Sequence, residues 1–372
     1  MDFKKAKWVT PALLVAALAF FLISGTLLFS PSTSAQKVKQ VGPPPPVPRL
    51  KPKPTPTPKP TPVPEYEVVK ITSNLVMVPV SVTNAQGQPA LGLKPEDFRI
   101  EEDGQVQQIT QLGDPEQVPL DIAVLIDVSK SVVARFEFER EAAAGFLKQV
   151  LKPEDRATIF AIDEKPRMVK GLATAQVATQ SLMTVQPANS FTAFFDSVLA
   201  ASQYLDQTSS SGRRRIVVVI SDGDDTARIL SAGLNEPPAQ ANKAVSLVEA
   251  QNALMQRIQS ETTRDVQRAE VTFYSINPSG QSLRLNPRAT RSQQGMERMA
   301  LATGGASFVP NTEAELPVIF NRIAGEIRSQ YLLQYYSNNQ TGSRAFRRIA
   351  VSTPTQAALR VRSREGYFPK AK

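Results

Sequence analysis

The chain of 372 residues contains no cysteine, no histidine and a single tryptophan, Trp8. Without cysteine there is no disulfide, no thiolate nucleophile, no iron–sulfur ligand and no lipid-modified thiol. Without histidine there is no imidazole base, which excludes a Ser-His-Asp triad. Zinc would be left with carboxylates alone, a set it rarely takes. A metal here is therefore expected in an all-oxygen shell, which suits Mg2+, Mn2+ or Ca2+. Acidic residues are scarce only at one end. Residues 1–64 hold nine Lys or Arg and one acid, while the other 308 residues hold 34 basic and 33 acidic side chains. Of the net charge of +9, +8 thus sits on the leading segment. The rest is almost neutral and lacks the concentrated basic footprint that phosphate backbones require, so no nucleic acid is expected as a partner.

The leading segment reads as an export signal. Lys4, Lys5 and Lys7 precede an uncharged run from Trp8 to Gln36, and Thr33-Ser34-Ala35 offers small residues for cleavage before Gln36. The apolar stretch Trp8 to Phe29 also has the length, about 20 residues, to span a bilayer. Signal peptide and retained membrane anchor both stay open for residues 1–36. Either way the positive charges stay inside, and the remainder is exported to the cell envelope or beyond. Residues 37–65 form a Pro-rich linker, with twelve prolines between 43 and 64. Such a stretch favours extended polyproline II and reaches roughly 70 Å.

Residues 66–116 are β-like. Val76, Val78, Val80 and Val82 alternate along one strand, and Asp103-Gly104 lies between two further runs as a hairpin turn. From 117 to 330 the rhythm is strand, helix, strand. Asp121–Ile126 and Ile216–Ile220 are nearly continuous apolar runs, as in strands buried on both faces. Helices are expected over Arg135–Leu151, Thr192–Leu205, Val245–Ile258, Met296–Ala302 and Glu313–Arg328. This predicts an α/β fold: a doubly wound, mostly parallel sheet. Residues 331–370 turn β-like again and are expected to pair with 66–116 as a small flanking β domain.

Three motifs fall at strand ends or a helix start: Asp127-Val128-Ser129-Lys130-Ser131, Phe191-Thr192, and Ser221-Asp222-Gly223-Asp224-Asp225. In a parallel sheet the carboxyl ends of the strands share one edge, where ligands bind. Asp127, Ser129, Ser131, Thr192 and Asp222 would there supply two carboxylates and three hydroxyls, a hard-oxygen shell with a position to spare. The competing reading is that Asp and Ser after a strand are helix caps. Asp196 and Asp224 are placed around the ligands, as groups that orient them or as solvated acids; Asp225 is expected to be solvated. Thr226–Asn242 and Ser279–Gln294 read as loops. The second carries Arg284, Arg288 and Arg291, either a basic rim for an acidic partner or a solvated loop. Arg213-Arg214-Arg215 precedes its strand, so it belongs to the opposite edge and is expected to be solvated.

The order Asp-x-Ser-x-Ser, Thr, Asp resembles the metal-ion-dependent adhesion site of von Willebrand factor A domains. The wider chain resembles a bacterial subgroup of related proteins best known from acidobacteria, through Glu96-Asp97-Phe98, Glu102-Asp103-Gly104, Gln330-Tyr331-Leu332 and Arg364-Glu365-Gly366-Tyr367. The family usually has Gly before the loop Thr; here it is Phe191, which offers an apolar contact for a partner. The resemblance implies a divalent cation, Mg2+ or else Mn2+ or Ca2+, held by the five residues and accepting an Asp or Glu carboxylate from a protein partner. It implies an adhesion or scaffold module. A metal-dependent hydrolase or phosphotransferase using Asp127 as nucleophile is the first alternative, yet position 129 is Ser where a second carboxylate is needed. A structural envelope protein without a functional metal is the second. No catalytic residue is assigned and no enzyme is expected.

Overall fold

The strand Leu75–Thr83 (β1) opens the described part of the chain, its valines alternating inward as the period of 2 requires. In this computed structural model the described residues are Gly42 and 75–370, without Asn189, 234–240, 281–285, Gln340 and Gly342. The leader, the Pro-rich linker and residues 66–74 lie outside them, as does Arg284. Among the described residues no helix is long and apolar enough to cross a membrane.

Three strands follow β1: β2 (Arg99–Glu102), β3 (Gln105–Gln107) and β4 (Ile109–Gly113). Asp103 and Gly104 both take positive φ in the β2–β3 turn, which the Asp-Gly pair allows at little cost. The chain then enters the α/β part with β5 (Leu120–Asp127), α1 (Phe136–Val150), β6 (Arg156–Ile162), β7 (Pro166–Ala173), α2 (Ala175–Met183) and α3 (Phe194–Thr208). Next come β8 (Arg214–Ile220), α4 (Thr226–Ser231), α5 (Ala241–Arg268), β9 (Val271–Ile276), α6 (Pro287–Thr303), β10 (Ser307–Phe308) and α7 (Leu316–Ser329). It closes with β11 (Tyr331–Tyr336), β12 (Arg347–Ser352), β13 (Arg360–Ser363) and β14 (Gly366–Tyr367).

The central sheet runs β10-β9-β8-β5-β6-β7, parallel except for the edge strand β7. Alternation along β5 divides the core. Ile122, Val124 and Ile126 pack with α1, α2 and α7, whereas Ala123 and Leu125 pack with α3, α5 and α6. Every residue of β5 is buried, so the run carries no polar alternation, as the continuous apolar sequence requires. The sheet is therefore doubly wound, as expected.

The flank is two small sheets, β13-β1-β11-β4 and β14-β12-β2-β3, sharing one core of β1 valines, Ile100, Leu333, Tyr335 and Ile349. β1 pairs antiparallel with β11, Leu75 opposite Tyr336 and Val80 opposite Tyr331, and β2 pairs with β12. Inside this core Glu102 accepts hydrogen bonds from Tyr335 (2.7 Å), Ser337 (2.7 Å), Tyr367 (3.1 Å) and Arg347 (3.0 Å). A second network ties flank to sheet: Glu326 of α7 accepts from Tyr274 of β9 (2.7 Å) and Ser81 of β1 (3.1 Å), and pairs with Arg362 of β13. Both parts belong to one unit, Val69–Lys372.

Four expectations change. α5 spans 28 residues, twice the apolar stretch that marked it, because its exposed face is polar and hides the period. Residues 226–231 form α4, capped by Asp225, where a loop was expected. α6 begins at Pro287, so Arg288 and Arg291 are helical rather than in a loop; the Asn286 side chain accepts from Arg288 N (2.9 Å) and Pro287 takes the first turn. Arg213, Arg214 and Arg215 lie at the opposite edge but are not solvated. Arg213 pairs with Asp121 (2.9 Å), Arg214 donates to the carbonyls of Ile327 (2.8 Å) and Pro115 (2.9 Å), and Arg215 pairs with Asp206 (3.0 Å).

α6 ends on Gly304 at φ 81°, where an added Cβ would stand 2.7 Å from the Arg364 backbone nitrogen. Gly304→Ala is expected to cost about 2 kcal/mol, since left-handed strain and backbone crowding add. Urea unfolding checks this; a change under about 0.5 kcal/mol would contradict the crowding.

Candidate metal centre

β5 and β8 lie side by side in register, Ile126 beside Ile220, so the residues that follow them meet at the carboxyl edge. Asp127 is fully buried there. Its Oδ1 accepts from the Ser129 backbone N–H (2.9 Å) and its Oδ2 from the Ser221 hydroxyl (2.7 Å). Burial, and secondarily the negative charge of Asp222, push the Asp127 carboxyl up to about 6. Neither Asp127 nor Asp222 has an ion-pair partner among the described residues. Ser129 is buried beside Asp127, and Ser131 lies in the short helical turn Lys130–Val132 that follows.

Thr192 is brought to the same edge by the loop before α3. Its N–H donates to Thr226 Oγ1 (2.8 Å), and its carbonyl accepts from Ala227 N–H (3.1 Å). Asp225 fastens these loops together, accepting from Phe195 N–H (2.9 Å) and Arg228 N–H (2.9 Å). It is buried, not solvated as expected, and burial pushes its carboxyl up to about 6. Phe191 stands 48% exposed beside the buried Thr192.

The outer acids are engaged elsewhere. Asp224 accepts from Arg288 Nε (2.8 Å), and its N–H donates to Asp222 Oδ1 (3.1 Å). Asp196 pairs with Arg228 at the surface. Arg291 is exposed on α6. Among the described residues no group of three or more acidic side chains is poised for a metal; the edge offers two carboxylates and neighbouring hydroxyls. From the sequence alone Ser221 has no role beyond its place in the strand-end motif, Asp225 reads as solvated and Thr226 falls in a loop. The signal for Ser221 is its place directly after the strand Arg214–Ile220, next to the one that ends on Asp127.

A doubly wound, mostly parallel sheet with helices on both faces is the form of a von Willebrand factor A domain. Residues 122–224 match the family described as the von Willebrand factor type A domain, and the chain carries a domain of that type. Among solved structures, an aerotolerance-related membrane protein from Bacteroides fragilis is similar at 13% identity, covering 56% of this chain and 98% of its own, with a TM-score of 0.38. A von Willebrand factor type A structure from Catenulispora acidiphila has 13% identity, covering 70% of this chain and 51% of its own, at 0.41. Proximal thread matrix protein 1 from the mussel byssus, in a form with a zinc-occupied adhesion-site motif, has 12% identity, covering 60% and 48%, at 0.41. No curated protein matches the sequence.

Proposed function

We propose that the Asp127 edge holds a divalent cation, Mg2+ foremost, and that the chain is an exported, metal-dependent protein-binding module of the cell envelope. The observation carrying this reading is a fully buried carboxylate beside a second acid with no countercharge between them. Burying an unpaired charge is costly, and a cation relieves it. Asp127, Ser129, Ser131, Thr192 and Asp222 would hold the ion through oxygen alone, which fits a hard cation. With two carboxylates against a divalent charge the site is near neutral, so an Asp or Glu from a partner protein can add to it. Phe191 would touch the partner beside that carboxylate, and Arg288 and Arg291 would lie on its basic side. Binding, not catalysis, is the role this donor set supports.

The test is thermal unfolding with and without Mg2+. At about 100 times the dissociation constant, stabilisation should reach about 2.7 kcal/mol. Asp127→Ala should abolish the shift. An unchanged melting temperature of the wild-type chain at about 10 mM Mg2+ would overturn the reading.

A further inference from the structure

At the opposite edge of the parallel sheet, the starts of β8 and β9 and the β flank enclose a cleft of about 900 Å3. Seven of its lining side chains are Arg or Lys, and one, Glu270, is acidic. The acids around it do not balance them. Asp121 pairs with Arg213 (2.9 Å) and also with Arg156 (2.7 Å). Asp206 and Glu270 are shared among Arg215, Arg364 and Lys370, at 3.0 to 3.9 Å. Arg347 is taken up by Glu102.

Arg214 forms no ion pair among the described residues; the charge of Asp155 acts on it, but that carboxylate pairs with Arg328. Arg214 is 5% exposed, and its guanidinium donates only to two backbone carbonyls and the Gln330 amide oxygen (3.3 Å). Burial, reinforced by the charge of Arg328, pushes it down to about 10. Arg344 is exposed at the mouth and forms no ion pair among the described residues. Three buried Nε–H groups of lining residues, those of Arg214, Arg215 and Arg364, lack an acceptor among the described residues. Buried N–H groups without partners are rare, and these three belong to side chains that line one cleft. Leu75, Met77 and Phe368 supply apolar wall between the cations.

We propose that this cleft binds a small organic oxyanion, with a phosphate or a cluster of carboxylates set among the guanidiniums and an apolar portion against the wall. Guanidiniums match both head groups through paired N–H donors. The volume lies within the usual range for small-molecule sites, roughly 300–1,000 Å3. This site is separate from the metal edge and does not depend on it.

The experiment is calorimetric titration of the full chain with pyrophosphate and, separately, with citrate, in buffer freed of divalent ions on a chelating resin. Saturable binding at one site per chain is expected, weakening with added salt. Arg344→Glu should weaken it about tenfold, the effect of one charge-assisted contact. Arg214→Met should weaken it as well; if that variant does not fold, the exposed Arg344→Glu decides alone. A preference for pyrophosphate assigns a phosphate head group and a preference for citrate a carboxylate one, and either supports the site. No saturable heat with either probe, or equal affinity in wild type and Arg344→Glu, overturns the proposal.

Discussion

Arg347→Met is expected to destabilise the protein by about 3–5 kcal/mol, because it leaves Glu102 charged in the flank core without its cation. Glu102 is 2% exposed, and its other partners, Tyr335, Ser337 and Tyr367, are neutral. Burial and the neighbouring carboxylate raise both tyrosines above their ordinary value, so neither hydroxyl gives up its proton to relieve the site. Met preserves the aliphatic stem of Arg347, so the loss reports on charge more than on volume. Adding Glu102→Gln removes the stranded charge and leaves an acceptor for the tyrosines. The double variant should recover at least half of the loss, by a double-mutant cycle in urea. A single-variant loss below about 1 kcal/mol would mean that water reaches Glu102 and replaces the guanidinium.

Glu139→Gln should stabilise the metal-free protein at pH 8.5 and leave it unchanged at pH 4. Glu139 is fully buried on α1; its Oε1 accepts from Arg135 (2.8 Å), and its Oε2 has no partner. Burial pushes its carboxyl up to about 8; Asp127 and Glu313 add to the rise, and Arg135 opposes it. The folded chain therefore keeps this proton between about pH 4.5 and 8, while the unfolded chain releases it. Stability from this group is full below the lower value and lost as pH rises through the upper one. The loss is on the order of 5 kcal/mol. Gln carries no such penalty, so the difference between the two proteins should grow across that window. Parallel curves for wild type and variant from pH 4 to 8.5 would refute the argument.

The α/β architecture was legible because β5 and β8 are continuous apolar runs, a pattern that only strands buried on both faces require. The loop positions Asp127, Ser129, Thr192 and Asp222 were legible for a related reason: each follows a strand or opens a helix, and parallel winding sends those ends to one edge. What escaped depends on partners distant in sequence. Asp225 looks like a surface acid until α3 presents Phe195 N–H to it across 30 residues. Arg213, Arg214 and Arg215 look like a solvated cluster until Asp121, Ile327 and Asp206 close over them. α6 was shortened for want of weight on Asn286-Pro287, a capping pair written plainly in the chain.

The pairing of β1 with β11 also sets how the molecule would carry tension. A pull applied to α7 reaches the flank at Tyr331, opposite Val80. A pull on the preceding chain enters β1 at Leu75, opposite Tyr336, at the far end of the same ladder. The two loads run along the strands in opposite senses, so the hydrogen bonds between them are sheared together instead of being peeled one by one. Rupture in that geometry requires the whole ladder to slip at once. A force probe holding the two ends should meet one high peak from this ladder, in contrast to the low plateau of an unzipping hairpin.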